Sequence, residues 1–208
     1  MIDTDLIVPV SMSEAYDLTR KGMTTEQLLA EWQQLAEAPL RGLDREERRY
    51  RFYVRYNWER FNRVTESFEL PESFQALMRL QGAQTWLFLT EHWCADAAYS
   101  LPVVLAAAEA APSAEVRFLL RDDNLSVMER YLTKKARSIP VLAVFDAQGN
   151  EILRWGSKPL ALDVHRKELQ ASGADGPTVS AATIKWYEGE GWLEVARELE
   201  ERFLAVSG

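Results

Sequence analysis

The sequence predicts an α/β fold in which a central mixed sheet with flanking helices follows an N-terminal helical extension and precedes extra C-terminal helices. Three observations predict it. Up to about Leu80, apolar residues recur at the three-and-four spacing of amphipathic helices. From Gln84 the pattern changes to short apolar runs separated by helical segments, the alternation that places parallel strands in a buried sheet through right-handed crossovers. The turn Asp146-Ala147-Gln148-Gly149-Asn150 then joins two further short runs as a hairpin. Residues 1–82 are thus expected to form a helical extension and residues 83–208 an α/β domain, with its core at 84–156 and C-terminal helices at 157–208.

In order along the chain, Ser13 is expected to cap a helix over Glu14–Arg20 that Gly22 ends, and Thr24 or Thr25 opens a second helix through Ala38. Asp44 is a natural N-cap for a third. There Arg45 to Val64 interleaves seven arginines with aromatics, and Tyr50, Tyr53, Val54, Asn57, Trp58, Phe61 and Val64 share one face. A structural helix docked on the next domain and an anion- or RNA-binding face are both readings of that pattern. A short helix from Pro71 to Arg79 follows.

The spacing predicts strands at Trp86–Thr90, Glu115–Leu120 and Val141–Phe145, parallel to one another, and a fourth at Glu151–Trp155 that turns back antiparallel. Helices are expected at Ala95–Ala111 and at Leu125–Leu132, the latter capped by Asn124. Pro159 to Gln170 reads as a helix stopped by Gly173, and residues 174–177 read as a loop. Thr178 or Ser180 caps a helix that Gly189 and Gly191 interrupt. Trp192–Val206 closes the chain, with Leu193, Ala196, Leu199, Phe203 and Val206 expected to cover the sheet.

The composition excludes several functions. With 208 residues and 47% hydrophobic content the chain can bury a sizeable core. A net charge of −8, from 32 acidic against 24 basic residues, argues against nucleic acid or an anionic membrane as partner. One cysteine and two histidines leave no basis for a metal centre, and no cofactor is expected. His92 reads as a solvated loop side chain. The N-terminus MIDTDLIVPV has acids where a secretory signal has bases, and no apolar run approaches the roughly 20 residues of a membrane span, so a cytoplasmic protein is expected.

The chemistry points to Glu91–Pro102, EHWCADAAYSLP. Cys94 lies where a strand hands over to a helix N-terminus, whose free amides and dipole favour a thiolate. A charged His92 would lower the thiol pKa as well, whereas Asp96 and Glu91 would raise it, so the influences oppose one another. Asp96 is also placed to give a proton to a leaving thiol or take one from it. A small buried cysteine at a helix start is the alternative.

Trp93-Cys94 at a strand end, Pro102 eight residues beyond the thiol, Ser138-Ile139-Pro140 before the hairpin, and FDAQGNEILRWG in its place together resemble the thioredoxin superfamily over Gln84 to Gly156. TEHWCADAA, LLRDDN and SIPVLAVFD more narrowly resemble a group of bacterial thioredoxin-like proteins with a single-cysteine WCxDA motif and uncharacterised activity. The resemblance implies a thioredoxin-like fold, a cis bond at Pro140, and a substrate groove walled by Trp93, Ile139 and Pro140. It also implies a departure: Ala97 stands where thioredoxins carry a second cysteine, and Phe88 where they bury an acid. A dithiol cycle is excluded for the isolated chain. Two functions remain. One is a monothiol thiol–disulfide oxidoreductase in cell redox homeostasis, with Cys94 as nucleophile, Asp96 assisting, and an external thiol resolving the adduct of a protein or low-molecular-weight disulfide. The other is a redox-inactive adaptor that binds an extended peptide or protein partner.

Overall fold

The computed structural model describes residues 7–207. Residues 1–6, part of the stretch read for a targeting signal, lie outside them. Helices α1 (Met12–Arg20), α2 (Thr25–Glu37), α3 (Arg45–Ser67) and α4 (Glu72–Arg79) come first. Ser11, not Ser13, caps α1: its hydroxyl accepts from the Glu14 amide while the Glu14 carboxylate accepts the Ser11 amide. Only at Ser11 does a carboxylate fall three residues on, which decides between two neighbouring serines. Thr24 caps α2 and Asp44 caps α3 by the same reciprocal bonding.

The sheet follows, with β1 (Gln84–Thr90), α5 (Ala95–Ala110), β2 (Ala114–Leu120), α6 (Leu125–Met128), β3 (Val141–Asp146) and β4 (Glu151–Gly156). The strand order is β2-β1-β3-β4. β1 and β2 are parallel, but β3 runs antiparallel to β1, against the expectation of three parallel strands. The shortness of the helix in the connection, residues 121–140, accounts for the difference. Beyond β2 lie only the four residues of α6 and a 3-10 turn at Glu129–Tyr131, where one longer helix was expected. Four helical residues rise about 6 Å whereas a strand of seven spans roughly 23 Å, so the chain never crosses the sheet and re-enters at the end where β2 finished. Asn124 does not cap α6; its side-chain amide donates to the Leu120 carbonyl instead.

Three helical segments end the chain: α7 (Leu160–Ala171), α8 (Gly176–Trp186) and α9 (Trp192–Val206), the last two joined by a π-type turn at Tyr187–Gly191. Asp175 caps α8, accepting the Thr178 amide at 2.8 Å, so Gly176 and Pro177 begin the helix rather than form a loop. α9 buries Val195, Ala196, Leu199 and Phe203, while Leu193 and Val206 at its ends are exposed. Trp86 stacks on Phe203 at 5.2 Å on one face of the sheet. On the other face Tyr16 of α1 meets Phe145 at 5.4 Å. α5, buried along most of its length, lies against α3, α4 and α9. Its N-terminus therefore opens at the end of the sheet from which β1 exits and β3 enters.

Candidate functional site

Cys94 is the N-cap residue of α5, held by its amide, which donates to the Glu91 carbonyl at 3.0 Å. The thiol points across to the loop before β3 and donates to the Ile139 carbonyl at 3.5 Å. The Ile139–Pro140 peptide bond is cis. Gly156 sits behind this loop at φ 128°, and a Cβ there would come within 2.3 Å of the Pro140 carbonyl oxygen. Cys94 is only 5% exposed, the burial of the alternative reading, a small cysteine at a helix start. Burial, and next the Asp96 carboxylate, push its pKa up to about 12; the Ala97 and Asp96 amides and Lys158 pull the other way. The helix terminus thus favours the thiolate as the sequence suggests, and desolvation outweighs it.

Asp96 faces the same space from the first turn of α5. Its Oδ1 accepts the Tyr187 hydroxyl at 3.0 Å, and Lys158 Nζ lies 3.8 Å from Oδ2. Burial raises the pKa of this carboxyl above the ordinary range, against Lys158, the Tyr187 hydrogen bond and Arg166. Burial, with Asp96 next, raises that of Tyr187 well above a normal phenol. Tyr187 stacks nearly parallel on Tyr99 at 4.5 Å, and Tyr99 in turn donates to Glu188 at 3.3 Å. Glu188 pairs with Arg63 of α3 at 2.8 Å. Lys158 Nζ also donates to Ser157 Oγ at 2.9 Å.

The structure therefore brings Cys94, Asp96, Ile139 and Pro140 together, and places Trp93 on their more exposed flank under the Arg121 guanidinium, 4.9 Å from the ring centroid. His92 is not a solvated loop side chain. It is 2% exposed, lies edge-on to Trp32, and burial lowers its pKa to about 4, so it supplies no positive charge to the thiol. Phe88 is fully buried against Phe118. Sequence reasoning missed Tyr187, Lys158 and Glu188. The only local signal was the break at Gly189 and Gly191 after two aromatics, and nothing in it indicates contact with a residue 91 positions earlier. Among the described residues no group of three or more His, Cys, Asp and Glu side chains is arranged to hold a metal ion. None of their helices is long and apolar enough to cross a membrane.

The arginines of α3 are largely committed to the fold. Arg51 and Arg55 donate to the carbonyls of Leu35, Ala36 and Ala38 at the C-terminus of α2, Arg60 to Asn57, and Arg63 to Glu188.

A parallel β1–β2 pair linked through α5, an antiparallel β3–β4 hairpin, and a cis-prolyl loop facing the helix N-terminus define a thioredoxin-like protein. A family model described as thioredoxin matches residues 44–171, more than half of the chain, and the protein belongs to that family. No curated protein matches the chain. Among solved structures, a protein of unknown function from Pseudomonas aeruginosa is similar at 22% identity and a TM-score of 0.57, over 96% of this chain and 99% of that one. The crystal structure of an HIV epitope-scaffold is similar at 20% identity and the same TM-score of 0.57, over 94% and 99%. At such identities the likeness concerns the fold.

Proposed function

We propose that this protein is a monothiol thiol–disulfide exchanger of the single-cysteine WCxDA type, acting in a reducing, cytoplasmic setting on a protein or low-molecular-weight disulfide. The supporting observation is that the chain's one thiol shares its buried site with an ionisable carboxyl, Asp96, itself held by Tyr187 and Lys158. Cys94 attacks a disulfide R–S–S–R′, forming Cys94–S–S–R as the R–S–S–R′ bond breaks. The thiol proton passes to Asp96 and from there to the leaving R′S⁻. An external thiol R″SH then attacks the adduct, releasing R–S–S–R″ and restoring the Cys94 thiol. Asp96 is suited to this shuttle because a carboxyl with a raised pKa both accepts and returns a proton more evenly near neutral pH. Trp93, Ile139 and Pro140 flank the sulfur and would contact the disulfide.

The test is incubation of the native protein with hydroxyethyl disulfide, with mass spectrometry of the Cys94 adduct and of its release by added thiol. Adduct formation that slows in Asp96→Asn and vanishes in Cys94→Ser is expected. No adduct without denaturant refutes the proposal. The burial of the thiol and its pKa of about 12 favour a second reading, a redox-inactive adaptor, in which Cys94→Ser leaves partner binding unchanged.

A further inference from the structure

We infer that α8 and the turn after it, residues 175–191, form a lid that closes over Cys94 and Asp96 and must swing away for a substrate to reach them. The inference rests on the exchange reading above and concerns access to the same site. Four observations carry it. The underside of the segment is the site's roof: Tyr187 is fully buried, hydrogen-bonds Asp96, two residues from Cys94 in the first turn of α5, and covers Tyr99. Away from Tyr187 the segment is lightly anchored, since α8 itself buries only Val179 and Thr183, with Ile184 and Trp186 half-buried, whereas α9 contributes four apolar residues and Glu198 to the interior. Few buried contacts make a segment the first to open.

Its fastening is polar and at the surface. Glu188 bridges Arg63 of α3 and the Tyr99 hydroxyl, and the two charged side chains are 44% and 54% exposed, respectively. Finally, both ends of the segment have backbone suited to a hinge. Gly173 has φ 87°, and at the far end Gly189 and Glu190 leave helical geometry, Glu190 at φ 64°. Gly191 completes that end, where a Cβ would lie 2.3 Å from the Trp186 ring. α7 is held at its start by the Leu160 amide, bound to Glu198 at 2.6 Å, and touches α8 through Arg166, which donates to Thr183 Oγ1 at 2.8 Å, a bond that opening must break.

A disulfide cannot react with a thiol it cannot touch, and lids that exclude solvent until a substrate arrives are a common solution. Opening removes Tyr187 from Asp96, leaving the carboxyl free to serve the thiol. Closing restores the phenol as its partner and shelters the sulfur from oxidants.

The experiment uses the full chain and two surface variants that release the fastening, Glu188→Gln and Arg63→Gln. Alkylation of Cys94 by iodoacetamide under native conditions reads access, and hydrogen exchange read by mass spectrometry reports the opening segment. Loss of the exposed ion pair should speed alkylation about 2- to 5-fold in either variant, with faster exchange in residues 175–191 and none in β1. Unchanged alkylation and exchange in both variants overturns the lid. So does wild-type alkylation that follows global unfolding in urea. The chemistry is judged separately: faster alkylation without any hydroxyethyl disulfide adduct sinks the exchange reading and leaves the lid, while adduct formation with unaltered access sinks the lid and leaves the exchange.

Discussion

Replacing His92 with Phe tests how far burial governs the electrostatics of this site. The imidazole is 2% exposed, its Nε2 has no hydrogen-bond partner, and the nearest acid, Glu31, lies 3.8 Å away and is itself 44% exposed in its side chain. Burial lowers its pKa from 6.5 to about 4. The unfolded chain therefore takes up this proton first as pH falls. Stability contributed by the neutral imidazole is present above pH 6.5 and is lost as pH drops through the interval to about 4. At about 1.4 kcal/mol per tenfold difference in proton affinity, the loss is about 3 kcal/mol.

Phe fills a similar volume beside Trp32 and cannot titrate, and it removes an orphaned buried nitrogen, so the variant should gain roughly 1 kcal/mol or more near neutral pH. Urea unfolding followed by tryptophan fluorescence, at about pH 7 and about pH 4, measures both terms. Glu91 and Asp96, whose raised pKa values act in the opposite direction, are present in both proteins and cancel in the comparison. Parallel losses in wild type and His92→Phe would refute the account, and so would a shift of the Cys94 pKa in the variant, because a neutral His92 carries no charge to remove.

Other substitutions probe the site and its supports. Asp96→Asn should stabilise the protein at neutral pH. The raised pKa of Asp96 means that burial of its charged form costs stability, a cost that disappears below the ordinary 3.8, where the two proteins should unfold alike. The same variant should lower the pKa of Cys94 from about 12, since Asp96 is the largest influence on it after burial; pH-dependent thiol absorbance reads this directly. Gly156→Ala places a methyl 2.3 Å from the Pro140 carbonyl oxygen at φ 128°, which should cost about 2 kcal/mol or more and shift the Ile139 carbonyl away from the thiol, measurable by urea unfolding and a changed thiol pKa. Arg55→Ala removes two hydrogen bonds to the C-terminal carbonyls of α2 and should destabilise by about 1–2 kcal/mol, with faster hydrogen exchange confined to the end of α2.

The Arg/aromatic pattern of α3 shows what a linear reading leaves open. Interleaved arginines and aromatics fit either a docked helix or an anion-binding face. In the fold, Val54, Asn57, Phe61 and Val64 face inward, three arginines are bound to carbonyls or side chains of neighbouring elements, and Arg60 is bound to Asn57 of the same helix. Tyr53, counted with the packed face, is 47% exposed instead, one step round the helix from Val54.

Whatever depends on near neighbours was legible in the chain. Periodicity identified every strand and nearly every helix, because side-chain alternation and helical spacing are local. Asp44 as the cap of α3 was readable for the same reason, and the cap of α2 to within Thr24 or Thr25. The WCADA stretch and Ile139-Pro140 marked two walls of a site, and the missing second cysteine limited its chemistry before any coordinates. The remaining features arise from contacts between distant residues. The direction of β3 depended on whether α6 was long enough to cross the sheet. The state of Cys94 depended on a balance of burial against helix amides, and burial is a property of what packs above the thiol. The Ile139 carbonyl faces the thiol, and Tyr187, brought from nearly the far end of the chain, covers Asp96 beside it. No pattern at either residue encodes their meeting, since it arises only when the C-terminal helices close over the sheet's open end.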